Sequence, residues 1–301
     1  MWLETAASEG ARLRAFALEQ DGNWIGTCPF FDSRRGPLRT WMSPGTGLGI
    51  PFLGPTLGLP RRGSHAAPER RWHELGDALV RYIGSNGPRS FVRIIAGPSL
   101  GDVRPFVWGG YRVTPRYTYR LDLSGSEGDL RARADREARR WIHIADKQLT
   151  FRDGGSLDAA WIVSELAKRY EAQGRRLPFG SEYVRRLFDR LPAGSLRTEL
   201  VAREGRPVTG LIVVDEPDTV RHWIGGFRPN PPEPGAGEYL IWRSALRARE
   251  LGKSSLDLLG ANTPAIVRFK RKFGPELRTH FMVEKASPWA RAALRLAGRR
   301  R

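Results

Sequence analysis

Toward the end of the chain, RFKRKFG (268–274) sets four cations, Arg268, Lys270, Arg271 and Lys272, around two phenylalanines, Phe269 and Phe273. Basic residues interleaved with aromatics can grip a nucleic-acid strand, clamp an anionic cofactor, or line the mouth of an acyl-transfer site. Phe269 and Phe273 read equally as core anchors, and Arg268 and Lys272 as phosphate ligands or as a solvated face. Just upstream, Asp257 ends the apolar run SSLDLL, and Gly260 opens the loop into the motif. A carboxylate in such a run is costly unless paired. Asp257 is therefore expected to orient a basic partner or a substrate amine, or to cap the following turn. His222 and Trp223 sit in TVRHWIGGF, Tyr239 and Trp242 in AGEYLIWRSALRAREL. An imidazole can serve as a general base and a phenol can donate to a carbonyl. The alternatives are a hydrogen-bonded strand histidine at 222 and core packing, chosen here for Trp242.

Other chemistries find little in the pattern. The single cysteine, Cys28, excludes an intramolecular disulfide and a cysteine-based zinc site, and the five histidines lack the i, i+4 spacing of a helical zinc motif. The glycines of MSPGTGLGIPFLGPTLGLP precede no GKS or GKT and open no GxGxxG helix. No Ser/His/Asp or Cys/His set stands out. Acyl transfer to an amine does not need one, because direct attack requires a bound donor, a neutral amine and stabilisation of a tetrahedral oxyanion.

Charge sets the sign of the partner. In 301 residues, 50 Lys and Arg stand against 32 Asp and Glu, a net +18. That balance implies an anionic donor or acceptor: nucleic acid such as tRNA, coenzyme A phosphates, a lipid pyrophosphate or an anionic membrane surface. Much of the excess is arginine, which high-GC coding also produces. No apolar run reaches the length of a membrane span and the N-terminus has no signal-peptide pattern, so a cytoplasmic location is expected. WARAALRLAGRRR (289–301) is a short basic amphipathic stretch, able to touch a membrane surface or to end as a terminal helix.

These residues need elements to hold them. ARLRAFALEQ, DGN and WIGTCPFF read as a hairpin, MSPGTGLGIPFLGPTLGLP as loop, 68–84 as a helix with Trp72, Leu75, Leu79 and Ile83 on one face, and FVRIIAG as a buried strand. YRVTPRYTYRLDL reads as one or two strands. Residues 127–148 read as one long helix with Leu130, Ala134, Ala138, Trp141, Ile142 and Ala145 as its apolar stripe, and with Arg139 and Arg140 on other faces. Helices near 156–173 and 181–191 follow. LRTELVARE, PVTGLIVVD and TVRHWIGGF form an antiparallel meander, because the turns EGRP and EPD are short. A helix over 236–251, the short strand SSLDLL, the basic motif and a last strand, LRTHFMVE, complete the chain. The stretches 16–31 and 200–215 share a strand–acidic–Gly–strand plan, consistent with a duplicated domain.

The order strand, helices, meander, helix, strand, helical turn, strand is that of the GNAT-type acyltransferase fold. TYRLDL followed by EARRWIHIADKQLTFRDGG, then GRPVTGLIVV, HWIGGF, YLIWRSALRARELGKSSLDLLGA and RFKRKFG, resembles the catalytic half of FemAB-like proteins, whose signature is RFKxxFG. The resemblance covers residues 105–285 and, more loosely, 10–60. It implies an α/β (α+β) fold of two GNAT-type domains, each a mixed, largely antiparallel sheet flanked by helices. The expected division is a degenerate N-terminal domain over 1–104, shortened at its start, a transferase domain over 105–286, and a basic tail over 287–301.

The best-known FemAB-like members use aminoacyl-tRNA to add amino acids to peptidoglycan precursors; relatives are acetyl- or acyltransferases. By resemblance, Phe269 and Lys270 match the Phe–Lys pair at the transfer site, and Arg139 and Arg140 a basic pair near the acceptor. Lys270 is then the cation facing the developing oxyanion, with Asp257, Tyr239, Arg268 and His222 as substrate-binding candidates. No tightly bound cofactor and no metal is expected. The chain departs from the pattern at its short start and in lacking the coiled-coil arm of tRNA-using members. It also lacks a clean R/Q-x-x-G-x-G/A acetyl-CoA loop, since Arg228 is followed by PNPPEPGAG. Both acyl-CoA and aminoacyl-tRNA stay open as donor substrate. The competing expectation is a non-catalytic GNAT-like module that holds RNA or an anionic lipid.

Overall fold

The structure is a computed structural model that describes residues 2–7, 12–20, 22–35, 37–57, 66–88 and 90–292. It divides into two compact units, an N-terminal one built on Ala6–Arg116 and the chain from Thr279, and a C-terminal one built on Tyr117–Arg278 with the first residues up to Thr5. The chain opens with α1 (Trp2–Ala7), whose Trp2 meets Trp223 edge-on at 5.0 Å.

The N-terminal unit holds β1 (Arg12–Arg14), β2 (Ala17–Gln20), β3 (Asn23–Thr27), β4 (Phe30–Arg35), β5 (Leu38–Ser43), β6 (Thr56–Leu57), α2 (Ala66–Asn86), β7 (Phe91–Ala96) and α3 (Arg104–Trp108). Its main sheet runs β1, β4, β5, β7 and then β14 (Glu276–Ala286), the last strand of the chain. All neighbours are antiparallel except β5 and β7, which are parallel because α2 crosses over between them. The apolar stripe read on α2 is buried: Trp72, Leu75, Leu79 and Ile83 pack with Phe30, Trp41, Ile94 and Phe106. Cys28 lies in this core, where burial pushes its thiol pKa up.

The C-terminal unit holds the second half of β8 (Arg112–Asp122), then α4 (Glu127–Arg133), α5 (Arg136–Asp146), β9 (Thr150–Gly154), α6 (Ser156–Ala172), α7 (Ser181–Arg190), β10 (Leu196–Arg203), β11 (Arg206–Asp215), β12 (Thr219–Gly225), α8 (Ala236–Glu250), β13 (Ser255–Asp257) and α9 (Pro264–Lys270). Its sheet runs β9, β10, β11, β12, β13, β8. Here too one pair is parallel, β12 with β13, joined by α8. The two units thus share one plan: an antiparallel pair, a strand, a crossover helix, a parallel strand and a short helix. The strand after α3, β8, completes the C-terminal sheet against β13, and the strand after α9, β14, completes the N-terminal sheet against β7.

Three expectations change. The sheet order makes β1 and β4 the counterparts of β10 and β11, so the β2–β3 hairpin that resembles 200–215 in sequence is an insertion, packed with β6 in a separate three-stranded sheet. The units divide inside β8 and β14, whereas the sequence places boundaries at 104 and 286. The helix read over 127–148 is two. Ser126 and Asp129 form a capping box at the first, Ala134 is extended (φ −70°, ψ 143°), and Asp135 starts the second by accepting from the Ala138 amide at 2.7 Å. The Asp135 amide itself donates to the Lys272 carbonyl at 2.7 Å, which holds the break against the basic motif. β9 forms on a stretch for which the sequence pattern predicts no element. The basic tail from residue 293 lies outside the described residues.

Gly274 ends the basic motif. Its φ is +65°, and a Cβ there would stand 2.4 Å from the Arg133 carbonyl oxygen. Gly274→Ala is expected to destabilise the C-terminal unit by more than about 2 kcal/mol through left-handed strain and this clash, measured by urea unfolding.

Candidate active site at the parting of two parallel strands

The β12–β13 ladder spans Thr219↔Ser255, Val220↔Leu256 and Arg221↔Asp257 and then stops. β12 runs on to Gly225, while the chain after Asp257 turns away through Leu259 and Gly260, with φ of 52° and 53°. From His222 onward, therefore, the β12 edge has no β13 partner.

Lys270 fills the parting from α9. Its ammonium donates to the carbonyls of Leu258 at 2.6 Å and Leu259 at 2.7 Å. A Cβ on Gly260 would lie 3.6 Å from Nζ, so the glycine leaves the ammonium room. Burial pulls the Lys270 pKa down to about 8, with the Asp257 carboxylate acting the other way. An ammonium has three N–H groups, and these two carbonyls take two of them.

Asp257 is buried and fully engaged. It accepts from Thr118 Oγ1 at 2.6 Å, the Leu259 amide at 2.9 Å and Arg221 Nε at 3.3 Å. The carboxylate in the apolar run thus has its basic partner, Arg221, and also fixes the turn that follows. Arg221 pairs with Glu216 as well.

His222 is buried with Nε2 2.9 Å from Ser244 Oγ on α8. Burial first, and the Lys270 charge second, push its pKa down to about 3, so the imidazole is neutral at physiological pH. Behind Ser244 lies Glu199 on β10, with no solvent exposure. Burial raises its pKa to about 7, offset in part by the Ser244 hydroxyl and then the Arg197 guanidinium. Its Oε1 lies 3.3 Å from Arg197, and its Oε2 has no hydrogen-bond partner. A polar line, Glu199, Ser244 and His222, thus runs beneath α8 toward the Lys270 charge.

The rest of the basic motif is mostly structural. Phe269 is half-buried, 6.0 Å from the Phe273 ring centroid, and a Cβ on Gly237 would stand 3.1 Å from its Cζ; it packs on the start of α8. Phe273 is core. Lys272, read as a phosphate ligand or solvated charge, instead bridges Glu137 of α5 at 2.8 Å and Glu238 of α8 at 3.3 Å, with its side chain only 17% exposed. Arg268 is exposed, and its guanidinium has no partner among the described residues. Arg139 donates to the Ala132 and Ala134 carbonyls at 3.4 and 3.0 Å, and so ends α4. Arg140 is exposed, its guanidinium 5.4 Å from the Trp141 ring. Tyr239 lies in the core, with Arg243 5.9 Å from its ring, and burial raises its pKa. Trp242 is core as read. The structure thus brings together Lys270, Asp257 and His222, with Phe269 bracing the turn, and engages Arg139 and Tyr239 in packing. Glu199, Ser244, Thr118 and Arg221 went unread. Glu199 carried the signal that flagged Asp257, a carboxylate inside an apolar strand.

The family model for the acetyltransferase (GNAT) domain matches residues 128–271, from α4 through α9. The C-terminal unit thus carries the match to a GNAT domain. Solved structures extend the likeness in fold over both units. FemX is similar at a TM-score of 0.64 and 12% identity, over 93% of this chain and 90% of that one. The C-terminal domain of a putative lysylphosphatidylglycerol synthetase from Agrobacterium fabrum aligns at 0.58 and 15% identity, over 99% and 91%. A tandem GNAT protein from the clavulanic acid biosynthesis pathway aligns at 0.52 and 14%, over 93% and 84%. At such identities the likeness is one of fold, and that fold is the tandem, FemAB-like one. No curated protein matches the chain in sequence. Among the described residues no helix is long and apolar enough to cross a membrane, and no group of His, Cys, Asp and Glu is placed to hold a metal ion.

The buried line has a pH signature. A carboxyl raised from 4.5 to about 7 favours its protonated form in the folded state, so the stability it permits is full below 4.5 and is lost as pH rises through 7. Glu199→Gln should therefore gain stability over the parent between pH 5 and 8, by about 3 kcal/mol from the size of the shift. His222 works in the opposite sense: its lowered pKa costs stability as pH falls below 6.5. Urea unfolding of both proteins across this range checks it; a constant gap between them would mean Glu199 is not held protonated.

Proposed function

We propose that the C-terminal GNAT domain transfers an acyl or aminoacyl group from an activated donor, acyl-CoA or aminoacyl-tRNA, to an amine acceptor at the parting of β12 and β13. The observation that carries this reading is the partly desolvated Lys270 ammonium at the end of the broken ladder. There it sits beside strand edge groups that have lost their partner. In the proposed step the acceptor amine attacks the donor carbonyl directly, and the third N–H of Lys270 stabilises the oxyanion as the tetrahedral intermediate forms. Collapse of the intermediate breaks the bond to the donor's thiolate or ribose oxygen, which leaves with the proton that the amine gives up. The carbonyls of Leu258 and Leu259 fix the direction of that N–H in advance, and Phe269 fixes the turn that carries Lys270. Neutral, buried His222 acts through Ser244 on the shape of this wall rather than by removing the acceptor's proton. Arg268, exposed on the same turn and without an ion pair among the described residues, is offered to a donor phosphate.

A cell-envelope acceptor, a peptidoglycan precursor or another lipid-linked molecule met at the membrane surface, is supported by the fold shared with FemX and with a domain whose name refers to lysylphosphatidylglycerol. One observation favours the other reading, a binding module without catalysis. Two of the three Lys270 N–H groups already serve backbone carbonyls, so the residue can be a loop clamp alone.

The test separates them. The full chain is screened with acyl-CoAs and with charged tRNA for thermal stabilisation, and the stabilising donor is then used in turnover assays. Lys270→Ala is expected to lower kcat by about a hundredfold to a thousandfold with donor KM little changed. Lys270→Arg should restore loop stability without restoring kcat. Unchanged kcat in Lys270→Ala, or full recovery with arginine, would overturn the mechanism.

A further inference from the structure

The N-terminal unit contains a cavity of about 500 Å³ whose lining includes Phe91, Arg93, Arg112, Glu284, Lys285 and Arg291. It lies where β7 begins and β14 ends, at the N-terminal end of the parallel pair β5–β7. The site proposed for transfer lies at the opposite, C-terminal end of the equivalent pair, β12–β13. This cavity is therefore not the transfer site's counterpart in the other unit, and it stands or falls independently of the transfer reading.

Four cations line it against one carboxylate. Glu284 is already taken, because Arg93 Nε donates to it at 2.7 Å. The remaining three cations have no acidic partner among the described residues. Lys285 Nζ donates to the Gly109 carbonyl at 2.8 Å and lies 5.0 Å from the Tyr111 ring centroid. Arg291 Nε donates to the Ala286 carbonyl at 3.0 Å. The Arg112 guanidinium is exposed, with neither a hydrogen bond nor an ion pair among the described residues. Carbonyls and a ring face hold two of these side chains in place without neutralising them, so direction is fixed while charge is left over. Phe91 adds an apolar wall, with the Arg93 guanidinium 5.1 Å from its ring. Cavities of this size commonly take small molecules rather than a lone ion.

We infer that this cavity binds a small, soluble phosphate-bearing ligand, with Arg112, Lys285 and Arg291 on its phosphates. Neighbouring phosphates suit three separated cations better than a single carboxylate does, and the guanidinium forks of Arg112 and Arg291 match phosphate oxygens in pairs.

The test is titration calorimetry of the full chain with inorganic pyrophosphate at constant ionic strength, with inorganic sulfate as the competing anion. Saturable pyrophosphate binding is expected, weakened at least tenfold by Arg112→Glu and severalfold by the milder Arg112→Gln. Lys168→Glu makes the same charge change on α6 and should leave affinity as it was. Equal weakening by Arg112→Glu and Lys168→Glu would show only a diffuse basic surface and overturn the inference. So would binding to phosphatidylglycerol vesicles or to a short RNA in the absence of any pyrophosphate binding. Loss of turnover with pyrophosphate binding intact would count against the transfer reading alone.

Discussion

An ammonium taken partly out of water beside a sheet keeps its charge only if oxygen atoms come to it, and in this protein the oxygens come from a backbone that has just left the sheet. The β12–β13 ladder ends at Arg221 and Asp257; two positive-φ residues swing the chain aside, and their neighbourhood delivers the Leu258 and Leu259 carbonyls to Lys270. Much of the C-terminal unit serves that arrangement. Asp257 fixes the turn through the Leu259 amide, Lys272 ties the basic motif to α5 and α8, and Phe269 seats it on Gly237. The break between α4 and α5 belongs to the same construction, since the Asp135 amide meets the Lys272 carbonyl.

The charges of the motif divide by what surrounds them. Lys272 has two carboxylates, Lys270 has two carbonyls, and Arg268 has neither. A carboxylate neutralises a cation, whereas a carbonyl orients it and leaves the net charge in place. The same distinction separates Arg93 from Lys285 and Arg291 in the N-terminal unit. Among the described residues, Lys270 and Arg268 in one unit and Lys285, Arg291 and Arg112 in the other have no ion pair with a carboxylate.

Periodicity and turn chemistry made elements of both units legible: the meander and α8 of the C-terminal unit and the buried stripe on α2 of the N-terminal unit stand where the pattern puts them. Asp257 could be singled out because a carboxylate in an apolar run is locally odd, whereas Lys270 stood out only through the resemblance of RFKRKFG to the FemAB-like signature. The α4–α5 break was hidden because Leu130, Ala134, Ala138 and Ile142 keep one apolar stripe across it. Lys272 escaped for another reason. Its partners, Glu137 and Glu238, are set by packing that no local pattern encodes. The pairing of β1 with β4 around an inserted hairpin is likewise a non-local choice.

The placing of β14 bears on the order in which the chain can fold as it is made. Tyr117–Arg278, which accounts for nearly all of the C-terminal unit, emerges from the ribosome as one uninterrupted stretch. The N-terminal unit begins earlier but lacks its edge strand until Phe281–Ala286 has been synthesised. Until then the apolar strand β7 keeps an open edge of unpaired N–H and C=O groups, the kind of template that recruits other chains. The usual N-terminal-first sequence of domain completion is thereby reversed: the later-made unit closes first, and the earlier one waits, edge exposed, for the last strand.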